Sequence, residues 1–152
     1  MERVLLLLPT TTYRIHAFLE AARVVGVEVV CASERANTFE DRAPGNLLTV
    51  DFDDPDGAAE AVRRFAHAHP IDAVIGVDDL TAVAAATIAA RLGLSANSVA
   101  AVAAARDKHL MRQRLRTAGV PVPRFRPVSM EDRKSTRLNS SHIQKSRMPS
   151  SA

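Results

Sequence analysis

Four short apolar runs alternate along the chain with stretches whose apolar residues recur every three or four positions. The first run, Arg3 to Pro9, holds Val4 to Leu8, the pattern of a parallel strand covered on both faces. After Thr10, Thr11 and Thr12, the positions Ile15, Phe18, Leu19 and Ala22 recur with helical period. They predict an amphipathic helix over residues 13–25, capped by a threonine and ended by Gly26. Val27 to Ala32 is β-branched and reads as a second strand. Ser33 to Gly45 is polar and reads as a loop, and Asn46 to Phe52 as a third, shorter strand.

Asp54-Pro55 is a helix start, with Asp at the cap and Pro at the first helical position. That helix turns Ala59, Val62 and Ala66 inward and runs to about His69, where Pro70 breaks it. Asp72 to Val77 is the fourth strand. Thr81 to Leu92 is an Ala-rich helix stopped by Gly93, and Asn97 or Ser98 caps a short helix through Ala104. The order β-α-β-β-α-β-α predicts an α/β fold, a mostly parallel sheet with packed helices and right-handed crossovers. About a hundred residues suffice for one such core, of modest stability.

Arg106 to Val128 lies at a joint. It reads as a basic helix stopped at Gly119, then Pro121 and Pro123, then an extended segment. Arg112, Arg114 and Arg116 spread around the helix axis, which predicts a solvated face rather than an anion site. The residues before the joint make a complete layered unit, and those after it are too few for a domain. The chain is therefore expected to be cut just beyond the joint.

Composition breaks at Asp132. Residues 132–152 carry one acid against five Lys and Arg, a net +4, so the formal +3 of the whole chain leaves −1 for the residues before them. The basic balance belongs to this tail, and a nucleic-acid partner is not expected. The tail is serine-rich without apolar periodicity, as in disordered segments. Asp132 to His142 and Ser146 to Ala152 also resemble, in one frame, the translation of a common sequencing adapter on either side of its index, with the adapter's stop codon falling after Ala152. Residues 132–152 are therefore expected to be a non-native disordered tail.

No apolar run approaches the roughly 20 residues that span a bilayer, and the N-terminal run lacks a signal-peptide cleavage site. No membrane partner is expected. The single Cys31 leaves no internal disulfide and fits a reducing, cytoplasmic setting. The five His residues show no ligand spacing with Cys31, so no metal site is predicted in this chain.

In an open parallel sheet, ligands sit beyond the carboxyl ends of the strands. Two such ends stand out. Thr10-Thr11-Thr12-Tyr13 offers hydroxyls and backbone N–H groups to a carboxylate or phosphate, against the commoner use of threonine as a cap. The dinucleotide signature G-x-G-x-x-G is absent. Asp78-Asp79 could orient an amine, and would serve equally as caps and dipole partners of the next helix. Lys108 is the only lysine in residues 1–131, against fourteen arginines. A compact ammonium suits phosphate, and an exposed helix residue is the even alternative.

The run Leu92-Gly-Leu, Asn97-Ser98, Ala105-Arg106-Asp107-Lys108, Met111-Arg112, Leu115 and Ala118-Gly-Val-Pro-Val-Pro123 resembles the junction of ATP-grasp enzymes. It is similar to the branch with biotin carboxylase, the carbamoyl-phosphate synthetase large subunit, phosphoribosylglycinamide synthetase and amino-acid ligases. The resemblance implies a Rossmann-like pre-ATP-grasp domain over residues 1–105 and, over 106–131, a linker helix with the first strand of a truncated ATP-grasp domain, starting at Arg124 to Val128. It implies an ADP-forming ligase joining a small-molecule carboxylate to an amine or thiol through an acyl phosphate, with ATP and Mg²⁺ in the full-length protein. It places Lys108 on the ATP phosphates and makes Thr11, Thr12, Asp78 and Asp79 candidates for substrate contact. The second nucleotide lysine, the glycine-rich lid and the Mg²⁺ ligands would lie beyond this chain, so no catalytic or metal residue is assigned and the isolated chain is expected to be inactive. The alternative is a free-standing Rossmann-like small-molecule-binding or regulatory module, in which residues 106–128 would dock as a closing helix and strand.

Overall fold

The computed structural model describes residues 2–12, 14–35 and 45–127. The tail, Tyr13, most of the predicted loop between the second and third strands, and Val128 lie outside the described residues. The elements are β1 (Arg3–Leu7), α1 (Ile15–Val25), β2 (Glu28–Ser33), β3 (Leu47–Thr49), α2 (Pro55–Ala68), β4 (Ala73–Gly76), α3 (Ala82–Arg91), α4 (Val99–Arg106) and α5 (Lys108–Thr117). The strands form one parallel sheet in the order β3-β2-β1-β4. The fold is the α/β class that the alternating pattern predicts.

The apolar run of β1 is central, paired with β2 on one side and β4 on the other. Alternate residues along a strand face opposite sides of the sheet. Leu5 and Leu7, fully buried, point into a core with Val30, Ala58, Val62 and Ile88, where α2 and α3 cover the sheet. Leu6 and Leu8 join Val77, Ile15 and Phe18 under α1 on the other face. That second face is thinly covered. α1 has no buried residue, and Ile75 on the edge strand β4 remains 40% exposed.

Local signals account for most boundaries. Gly26 takes φ 81°, and its N–H and that of Val27 donate to Ala22 O, closing α1 in the left-handed turn that glycine tolerates. The Asp54 side chain accepts from Gly57 N at the start of α2, with Pro55 at the first helical position. Ser98 rather than Asn97 caps α4.

Several expectations are corrected. The residue before α1 is Arg14, without a side-chain cap bond; Thr12 acts one step earlier, its Oγ1 accepting the Arg14 N–H at 3.4 Å while its own N–H closes a turn onto Pro9 O. The third strand stops at Thr49 instead of Phe52, since its partner β2 ends at Ser33 and the Asp51 carboxylate takes the Asp53 N–H into a turn. The basic helix does not start at Arg106. Asp107 ends α4 and caps α5, accepting from His109 N and Leu110 N at 2.8 and 3.1 Å. The arginines of α5 are not simply solvated either: Arg112 and Arg116, one turn apart, both lie over the Phe125 ring, and Arg114 donates to Ala100 O of α4. The expected first strand of a further domain, Arg124 to Val128, is not overturned: such a strand would lack its sheet partners here, residues 121–127 pair with none, and Val128 lies outside the described residues.

Candidate functional site

The chain reverses its winding at β1. From β1 it returns through α1 to β2, whereas α2 carries it from β3 across the sheet to β4. The loops after β1 and β4 therefore part on either side of a switch point, where an open α/β sheet presents a crevice. A cavity of about 520 Å³ lies there, lined by Thr11, Thr12, Arg14, Val77, Asp78, Asp79 and Leu80.

One wall is set by a fully buried hydroxyl. Thr81, 0% exposed, donates through Oγ1 to Asp78 O at 3.0 Å. Asp78 Oδ1 in turn accepts from Leu80 N at 2.9 Å. This turn sets the two adjacent carboxylates at the mouth of the crevice. Asp78 thus shapes the turn ahead of α3 and does not cap it; the position before α3 is Thr81, without a side-chain cap bond. Gly76 is needed beneath the turn, because a Cβ there would sit 2.9 Å from Thr81 Oγ1 and 3.1 Å from its backbone. Gly76→Ala is expected to cost about 1–3 kcal/mol by overpacking, read as a lower urea midpoint.

The other wall is the threonine loop. Thr10 donates through its hydroxyl to Glu34 Oε1 at 2.6 Å and through its N–H at 3.0 Å, pinning the loop to the end of β2. Burial pushes the Glu34 carboxyl up, but the bonds from Thr10 and its own backbone, with the Arg35 charge, outweigh this and hold it below the usual carboxylate range. A carboxylate with a depressed folded value stabilises above its unfolded value and loses that contribution as pH falls through the folded one. The Thr10 amide is therefore expected to lose hydrogen-exchange protection only once pH has fallen below the ordinary glutamate range, while Leu5 to Leu7 remain protected.

The structure brings together four residues singled out in the sequence, Thr11, Thr12, Asp78 and Asp79, although the pairs are 66 positions or more apart. It adds Arg14, which no motif marks; the only available signal is its place two residues after the threonine run. The crevice thus carries a cation and two carboxylates in one lining, an arrangement suited to a polar small molecule. Lys108 is not in this lining. It is the first residue of α5 and exposed. The Asp107 carboxylate already occupies the α5 N-terminus, so a phosphate approaching there would meet the Lys108 ammonium as a point charge and not a row of free N–H donors. Among the described residues no three His, Cys, Asp or Glu side chains come together as a metal site. No described helix is long and apolar enough to cross a membrane.

A four-stranded parallel sheet with its crevice at the strand-order reversal defines a Rossmann-like α/β domain. The profile described as ATP-grasp N-terminal domain matches residues 19–95. That is half of the chain, and the chain belongs to this family. Two solved structures share the fold. One is an L-amino acid ligase from Bacillus licheniformis, at TM-score 0.64 and 21% identity over 85% of this chain and 35% of that one. The other is a phosphoribosylglycinamide synthetase from Anaerococcus prevotii, at TM-score 0.62 and 18% identity over 91% of this chain and 34% of that one. The chain thus spans about a third of the length of either ligase. No curated protein matches it.

Proposed function

We propose that this chain is the substrate-facing N-terminal part of an ADP-forming ligase. In this reading the ligase activates a small-molecule carboxylate as an acyl phosphate and transfers it to an amine or thiol. The carboxylate oxygen attacks the γ-phosphorus of ATP and ADP leaves; the nucleophile then attacks the acyl carbon and phosphate leaves. The crevice of Thr11, Thr12, Arg14, Asp78 and Asp79 holds a polar substrate, and Lys108 approaches the ATP phosphates. The observation that carries this is the crevice at the switch point of a domain whose family is ATP-grasp. The remaining nucleotide contacts and the Mg²⁺ ligands belong to the rest of such a ligase.

The chain alone is accordingly expected to be inactive. Purified chain is incubated with ATP, Mg²⁺ and amino acids, and ADP release is followed. No release above the blank is the expected outcome, and turnover would overturn the division of labour proposed here.

The self-contained module needs residues 106–128 to close the domain. Against it, α5 has no buried residue and residues 121–127 add no strand to the sheet. Limited trypsin digestion is expected to cut within α5 well before the sheet, since local opening is easiest where little apolar surface is buried. Equal protection of α5 and β1–β4 would favour the module.

A further inference from the structure

The charge of the chain divides at the joint, and apart from Lys108 the basic side has no part in the ligase reading. Residues 1–105 hold eight arginines against fourteen acids, net −6, and residues 106–127 hold seven Lys and Arg against Asp107 alone, net +6. The pairing differs as well. In the sheet domain Arg3, Arg23, Arg63, Arg64 and Arg91 each reach a carboxylate. Among the described residues no cation from Arg106 to Arg126 forms an ion pair. The one acid of that segment, Asp107, is taken by the α5 N-terminus.

Two of these unpaired cations share one ring. The Arg112 and Arg116 guanidinium carbons lie 5.7 and 4.5 Å from the centroid of Phe125. The His109 ring meets the same ring edge-on, at 5.4 Å between centroids. Arg124 and Arg126, both exposed, flank Phe125 in sequence. Arg112 and Arg116 are four positions apart on α5, a spacing at which like charges repel. Cation–π attraction to the ring offsets this and holds both guanidiniums in place. Groups fixed in advance lose less freedom when a ligand arrives. A guanidinium fork matches a carboxylate through two parallel hydrogen bonds. Carboxylates four positions apart on another α-helix repeat at the same rise of roughly 6 Å, so such a helix can meet Arg112 and Arg116 together. A nucleic-acid strand suits this face less well. Its bases stack on open aromatic faces, whereas Phe125 already carries two guanidiniums. The net −6 of residues 1–105 would also repel a polyanion long enough to leave the patch.

We propose that Arg112 and Arg116, with Arg124 and Arg126 beside them, form a docking surface for an acidic α-helix of a partner protein that carries carboxylates on successive turns. Charge complementarity and the matching helical repeat identify the occupant. Lys108 is not required for it, and the surface stands independently of the ligase reading.

The ¹⁵N-labelled full chain is titrated with an alanine-based helical peptide of about 16 residues that carries three glutamates four positions apart. A control peptide of the same composition spreads its glutamates around the helix axis. The aligned peptide is expected to shift the amides from Arg112 to Thr117 and that of Phe125, and to leave Thr11 and Asp78 unmoved. It should bind at least about twofold more tightly than the control, the worth of one exposed ion pair. Raising the ionic strength from about 0.1 M to about 1 M, which shortens the screening length from roughly 10 to 3 Å, should weaken binding severalfold. Arg112→Glu with Arg116→Glu should abolish the shifts. Arg112→Lys with Arg116→Lys should weaken binding without abolishing it, because the charge stays and the planar fork is lost. Lys134→Glu with Arg137→Glu, which lowers the charge of residues 132–152, should change nothing.

No shift at millimolar peptide, equal binding of the two peptides, binding that survives charge reversal on α5, or binding lost with the charges of residues 132–152 would each overturn the proposal. Tighter binding of a single-stranded oligonucleotide or of tripolyphosphate at the same amides would overturn the choice of partner. A peptide bound by this chain but not by a full-length protein carrying the domain would mean that the protein's own further domains take the surface, and would overturn it too. None of these results bears on the ligase reading, which is judged by nucleotide turnover.

Discussion

Leu5→Ala is expected to destabilise the domain by about 2–5 kcal/mol, the range for a buried leucine whose neighbours close only partly over the gap. Leu5 is 0% exposed at the middle of the central strand, paired with Val30 on β2 and Val74 on β4. Its side chain faces the core under α2 and α3. Many helix residues of that core are alanines, Ala58, Ala59, Ala84 and Ala85 among them. Their short side chains allow close helix packing but cannot swing in to fill a void, so the site should lie at the costly end. A domain of this size has roughly 5–15 kcal/mol in total, so the variant should lose a large share of its stability. Urea unfolding followed by circular dichroism reads the change. A shift below about 1 kcal/mol would mean that Leu5 is not enclosed as described.

The second large effect concerns function and lies at a residue with almost no structural role. In the intact ligase, Lys108→Ala is expected to lower kcat/KM for ATP by roughly tenfold to a hundredfold, the worth of one charged hydrogen bond. Lys108→Arg should keep most of the activity, since it retains the cation. Neither change should move the unfolding midpoint appreciably, because Lys108 is exposed and exposed sites usually change stability by no more than about 0.5 kcal/mol. Unchanged ATP kinetics in Lys108→Ala would remove this residue from the nucleotide site.

Periodicity made the layer order legible because burial was nearly binary along the chain. The continuous run at β1 is central and covered on both faces, as its pattern requires. Asp54-Pro55, Gly26 and Gly93 mark their boundaries through local backbone chemistry alone, and the structure places them there. What was not legible is set by partners distant in sequence. The length of β3 depends on where β2 ends, and the role of Thr10 depends on Glu34, 24 residues away. Asp107 could have been recognised as a helix start by the cap rule, but no Gly or Pro interrupts residues 99–118, which hid the boundary between α4 and α5. The stacking of Arg112 and Arg116 on Phe125 was hidden for a different reason: the ring arrives from a segment without periodicity.

At the crevice, the four singled-out residues could be found because strand ends in a parallel sheet share one edge, so Thr11, Thr12, Asp78 and Asp79 had to approach once β1 and β4 were neighbours. That β1 and β4 pair directly is a tertiary fact, however, and Arg14 enters only with it.

The most direct test of the proposed ligase is nucleotide turnover by a full-length protein carrying this domain, with Mg²⁺, ATP and a panel of amino acids. Formation of ADP and inorganic phosphate in step with a ligated product is the expected result. AMP and pyrophosphate, or product formed without nucleotide, would contradict the assignment of this domain to an acyl-phosphate ligase.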